Sequence, residues 1–173
     1  MRALLAFSTL AACGPPPPLS PGSAPTWRPL IDRAAWAPVP PEADPLASHR
    51  PPDLRCDPEA WGDEGLATEI RTESCDYLAL SQPLGEGIHP GDLLRVTFGW
   101  GQLRAPAPAE GHIALLVQDT VIAERTLEIP GPAEAHTFTT LATHAFPEAT
   151  PVILHVHNHG ANTWQLYDFA RRP

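Results

Sequence analysis

Lysine is missing from this chain. All eleven basic residues are arginine, and against 20 acidic residues they leave a formal net charge of −9. An acidic chain without basic clusters is a poor match for nucleic acid or an anionic membrane surface, because both recruit protein through grouped cations. The lysine deficit, beside so much Ala, Pro and Arg, fits GC-rich coding and needs no functional reading. Cysteine is scarce too: there are three, and none stands in a C-x-x-C spacing, which removes the usual zinc-ribbon and redox motifs. A glycine-rich phosphate loop, a G-x-S-x-G elbow, an H-E-x-x-H helix and a calcium-binding EF-hand loop are all absent. The expectation therefore leans away from an enzyme.

The first thirteen residues, MRALLAFSTLAAC, carry one basic residue, then an apolar stretch from Ala3 to Leu10, then small residues. That is the layout of a secretory signal, and the stretch is too short for a membrane-spanning helix. Leu10-Ala11-Ala12-Cys13 resembles the lipobox of bacterial lipoproteins. The resemblance implies cleavage before Cys13, acylation of that cysteine, and stable attachment through several acyl chains. Gly14 rather than Asp follows, so by the same resemblance the outer membrane is expected. The alternative is an ordinary signal peptide with an incidental cysteine. Setting Cys13 aside leaves Cys56 and Cys75, an even pair in an exported chain, which is read as a disulfide. Closing that loop of 75 − 56 = 19 positions is worth about 3 kcal/mol in the chain-entropy model.

Residues 14–52 hold thirteen of the 23 prolines and read as an extended spacer. The expected organisation is a signal peptide over 1–12, a lipidated cysteine and Pro-rich tether over 13–52, and one folded domain over 53–173. Trp27 and Trp36 are apolar enough to dock, either on the domain or on an envelope partner protein.

Beyond residue 53 no long helical periodicity appears. GDLLRVTFGW alternates Leu94, Val96, Phe98 and Trp100 with Arg95, Thr97 and Gly99, which is strand periodicity. Residues 111–131 read as two strands about a turn at Asp119-Thr120, and CDYLALSQPL, HTFTTLATHAF, PVILHVHN and NTWQLYDFA supply more. Seven or eight short strands punctuated by Gly and Pro predict an all-β fold, an antiparallel, jelly-roll-like β-sandwich with one disulfide.

Chemistry concentrates in PVILHVHNHGANTW, residues 151–164. Alternation turns Val152, Leu154 and Val156 to one face and Ile153, His155, His157 and His159 to the other. His155 and His157, two apart on a strand, can converge on Zn²⁺ or Cu²⁺ given a third ligand, for which His112 and His136 are candidates. The acidic residues Asp57, Glu59, Asp63 and Glu64 offer oxygen ligands for a structural Ca²⁺, although a solvated loop is the commoner outcome.

LHVHNHGANT resembles the HVHxxGxNT segment of copper/zinc superoxide dismutases, with His155 and His157 in copper-ligand positions and Gly160, Asn162 and Thr163 matching nearby. In that family further ligands follow the motif, whereas no histidine follows His159 here. A dismutase site cannot be assembled in that order. Cupins also use H-x-H on a jelly roll but need a glutamate soon after, which Gly160-Ala161-Asn162-Thr163-Trp164 does not supply. An exported jelly roll with an apolar strand, N-x-G-type punctuation and an aromatic-bearing strand also resembles galactose-binding-like and carbohydrate-binding modules. That resemblance implies non-catalytic glycan binding, with His155, His157, Asn158, His159, Asn162 and Trp164, and also Trp100, as ligand-facing candidates. The competing account is a structural face, its histidines covered and its asparagines serving turns.

Overall fold

The computed structural model describes residues 26–173. Cys13 and the expected signal peptide lie outside them. Among the described residues, eleven strands, all paired antiparallel, form two packed sheets. In chain order they are β1 Arg28–Pro29, β2 Ala37–Pro38, β3 Trp61–Asp63, β4 Thr68–Arg71, β5 Tyr77–Pro83, β6 Leu93–Trp100, β7 Ala109–Val117, β8 Thr120–Ile129, β9 Glu134–Leu141, β10 Pro151–Asn158 and β11 Thr163–Arg172. One sheet runs β3-β4-β11-β6-β9, with β1 added on β11; the other runs β2-β5-β10-β7-β8. Cys56 and Cys75 are joined by a disulfide. The expected all-β sandwich is therefore observed, and its seven long strands are the ones read from periodicity. The four extra strands have two to four residues each, too short for an alternating pattern to show.

The two sheets bury what alternation predicts. Leu94, Val96, Phe98 and Trp100 on β6 meet Ile113, Leu115 and Val117 on β7 and Val152, Leu154 and Val156 on β10 in one core. The β7–β8 turn falls at Gln118-Asp119, one residue earlier than expected, with Gln118 at φ 59°.

The five-stranded sheet also has a second apolar face. Tyr77, Ala79, Ala114, Leu116 and Ile153 are buried on its outer side, together with Val39. This explains the apolar run at 152–154 and the burial of every residue from 152 to 156: a strand buried on both faces loses the polar half of its alternation.

The cover comes from the segment expected to be a solvated tether. Over 26–52 it lies on the sandwich. Leu30 donates its N–H to Phe169 O (2.8 Å) and Val39 donates to Ala79 O (2.9 Å). Trp36 is buried between the sheets, and its indole N–H donates to Thr68 Oγ1 (2.9 Å). Proline suits this role, because β2 is an edge strand and tolerates a residue without a donor. The guanidinium groups of Arg95 (4.3 Å) and Arg172 (4.9 Å) both lie against the Trp27 ring. Trp36 is therefore a core residue and not free for a partner protein, whereas Trp27 stays half-exposed.

Candidate metal centre

The antiparallel register assembles a histidine face on the outside of the five-stranded sheet. On β10, His157 stands opposite His112 of β7 and Tyr77 of β5, while His155 stands between Ala114 and Ala79. Two alanines flanking His155 leave room above its ring. The N-terminal arm fills that room: short turns at Pro41–Ala43 and Ala47–His49 bring His49 down onto the face. Asp44 helps hold this corner. It accepts a hydrogen bond from the buried Tyr77 hydroxyl and a second from Leu46 N–H (2.9 Å).

His49, His112 and His155 form a nearly equilateral triangle. Their ring centroids are 5.2 Å (His49–His112), 5.4 Å (His49–His155) and 5.3 Å (His112–His155) apart. One ring nitrogen from each lies within 4.8 Å of the others, and among the described residues this is the one such group of three or more His, Cys, Asp or Glu side chains. Ligand atoms about 2.1 Å from a shared ion lie at most about 4.2 Å apart, so side-chain adjustments of under about 1 Å close the group.

The electrostatics favour the neutral imidazoles that metals require. His155 is fully buried, and its pKa is pushed down to about 2, first by burial and then by the neighbouring His112, His49 and His157. His157 is shifted downward as well, by burial and then by His159, His49 and His112. His112 Nε2 lies 3.3 Å from Glu124 Oε2. With its proton directed at that carboxylate, the Nδ1 lone pair is left available, as in the carboxylate–histidine pairs that support metal ligands. Among the described residues, His112 Nδ1 and His155 Nδ1 find no hydrogen-bond partner. Leaving such a buried atom unpaired costs about 1–3 kcal/mol.

The residues anticipated from sequence fall into distinct groups. His155 and His112 converge, whereas His157 lies beside the triangle, its ring 5.8 Å from that of His49. His159 packs against His157 at 4.9 Å and is exposed. His136 sits on β9 in the other sheet, against Phe138 (4.5 Å), and cannot be the third ligand.

Trp164 and Trp100 are core residues, Trp164 fully buried, so neither presents a ring to a ligand. Asn158 and Asn162 are also buried and lock the loop between β10 and β11. Asn158 Nδ2 donates to Thr72 Oγ1 (2.6 Å) and Gly160 O (2.7 Å). Asn162 Nδ2 donates to Asn158 Oδ1 and Arg104 O (both 3.1 Å), and Asn162 Oδ1 accepts from Arg104 N–H. These two asparagines serve the structural role rather than the ligand-facing one. Gly160, at φ 155°, belongs to the same loop, and a Cβ there would strike Arg104 O. Asp57, Glu59, Asp63 and Glu64 do not gather into an oxygen cage; Asp63 instead accepts from Gly65 N–H (2.8 Å) and pairs with Arg33 (3.5 Å).

His49 was not anticipated, because it stands in a Pro-rich segment read as solvated. A usable signal was present: an apolar strand without alternation needs a second cover, and Trp36 and Leu46 mark where that cover comes from.

No protein-family model and no curated protein matches this chain. Similar solved structures include the carbohydrate-binding module CBM4, 18% identical over 69% of this chain and 77% of that one, with a TM-score of 0.38. Another is TmCBM61 in complex with β-1,4-galactotriose, 12% identical over 84% of this chain and 99% of that one, with a TM-score of 0.43. A third is BiXyn10A CBM1, 11% identical over 69% and 87%, with a TM-score of 0.36. At these identities and scores no activity or site residue is carried across.

Proposed function

We propose that this chain is an exported, lipid-anchored β-sandwich that binds one transition-metal ion, copper or zinc, through His49, His112 and His155. The carrying observation is the convergence of three imidazoles from three separate elements, one of them fully buried. Three nitrogen donors without an oxygen cage suit Cu²⁺ and Zn²⁺ and not Ca²⁺ or Mg²⁺. Metal analysis of the untagged mature protein tests this. At neutral pH the protein is expected to take up about one equivalent of Cu²⁺ or Zn²⁺, with at least a hundredfold loss of affinity in His112→Ala and in His49→Ala. Uptake below about 0.1 equivalent removes the reading. Attachment through Cys13 is tested separately, by acyl labelling of the wild type and Cys13→Ala in membrane fractions.

A second reading, glycan binding, is favoured by a different surface. A register shift between Leu166 and Asp168 turns both Tyr167 and Asp168 outward, as a β-bulge does. The Tyr167 ring lies over Gly99, its hydroxyl donates to Gln165 Oε1 (2.6 Å), and Gln165 Nε2 donates to Glu69 Oε2 (3.0 Å). A planar ring framed by amide and carboxylate groups matches the apolar faces and hydroxyls of sugars. Glycan-array binding that disappears in Tyr167→Ala supports this reading, and an empty array on folded protein rejects it.

A further inference from the structure

Beside the three histidines opens a cleft of about 970 Å³, and the groups on its wall follow a pattern that ion coordination alone does not require. Alternation on β7 and β8 turns Glu110, Glu124 and Glu128 toward it, on the same face as His112. Glu110 and Glu128 are direct cross-strand partners. Like charges placed opposite one another on a sheet are destabilising, and among the described residues no arginine lines the cleft to balance them. His157 and His159 line the same cleft, their ring centroids 4.9 Å apart, and His157 is 5.8 Å from His49. His49 is in turn 5.4 Å from the buried His155. A ladder of imidazoles thus descends from an exposed, acidic rim to a fully buried ring.

From this arrangement, and resting on the metal-site reading above, we infer that the cleft is the ion's entry path. Glu110 and Glu128 draw a divalent cation to the rim, and His159 and then His157 ligate it in transit to His49, His112 and His155. The transferred species is the cation itself. At each step an incoming imidazole nitrogen displaces a water or the previous ligand from the ion. The last displaced waters leave through the cleft, with no redox change and no covalent bond made to the protein. Carboxylates lining a cleft raise the local concentration of cations and speed their arrival, by an amount that falls with added salt. A transit ligand lowers the barrier in both directions and so changes rates more than affinity.

The test is stopped-flow mixing of Cu²⁺ with the untagged mature protein, followed by quenching of its intrinsic tryptophan fluorescence, with stoichiometry and affinity measured in parallel. In His159→Ala the association and dissociation rates are both expected to fall about tenfold, with affinity within about twofold of wild type and one ion still bound. In the Glu110→Gln/Glu128→Gln double variant the association rate is expected to fall and to lose most of its dependence on ionic strength. Unchanged association rates in both variants overturn the proposal. A loss of affinity in His159→Ala without slower association also overturns it, because His159 would then be a resident ligand. A wild-type protein that binds no Cu²⁺ removes the site reading itself, and that result is seen before any variant is compared.

Discussion

His155 shows how one side chain can be tuned by its surroundings rather than by its sequence neighbours. An exposed histidine titrates near 6.5, whereas this one is held neutral down to about pH 2, chiefly by burial. Between those two values the unfolded chain binds a proton that the folded chain refuses. The metal-free fold is therefore expected to have its full stability above about pH 6.5 and to lose it as the pH falls, by up to about 1.4 kcal/mol per pH unit from this group. Urea unfolding at pH 7, 6 and 5 measures the slope, and His155→Gln is expected to flatten it. An unaltered slope in that variant would assign the acid sensitivity to another group.

At the scale of elements, the N-terminal arm joins fold to site. Trp36 plugs the space between the sheets, Val39 crosses to the outer face, and His49 ends over His155 and His112. Trp36→Ala is expected to cost about 3–5 kcal/mol of stability, as deletion of a large buried ring does. It should also weaken metal binding, although residue 36 is not a ligand. Calorimetric titration of the variant at a temperature where it remains folded separates the two effects. A second tight contact lies on β7, where Gly111 passes over the Trp164 ring so closely that a Cβ would sit 2.6 Å from Cζ2. Gly111→Ala is expected to destabilise by about 1–3 kcal/mol, read as a lower midpoint in thermal unfolding. Neither contact shows in the local pattern: 26–52 looks like a tether because proline-rich chains usually are, and Gly111 looks like strand punctuation.

For the whole molecule, stability is distributed over the two-sheet core and the disulfide, to which the proposed metal site would add the binding energy of its ion. Opening Cys56–Cys75 by a paired Cys→Ser change removes a constraint worth about 3 kcal/mol. An ion present at a hundred times its dissociation constant adds about 2.7 kcal/mol, so Zn²⁺ should raise the unfolding midpoint of the wild type and leave that of His112→Ala in place. The sequence by itself determined the seven long strands, their core-facing residues and the pairing of the two cysteines. These rest on period-two alternation and on the pair of cysteines left once Cys13 is set aside, both readable from the sequence alone. It also separated the two faces of β10, and so marked His155 and His157 as off-core before any neighbour was known. Tertiary structure alone decided which histidines meet. That choice depends on antiparallel register, which sets His112 beside His157, and on a covering segment more than a hundred residues away that supplies His49. It decided equally that Asn158, Asn162 and Trp164 are structural, because burial is a property of the packed sheets and not of the motif that carries them.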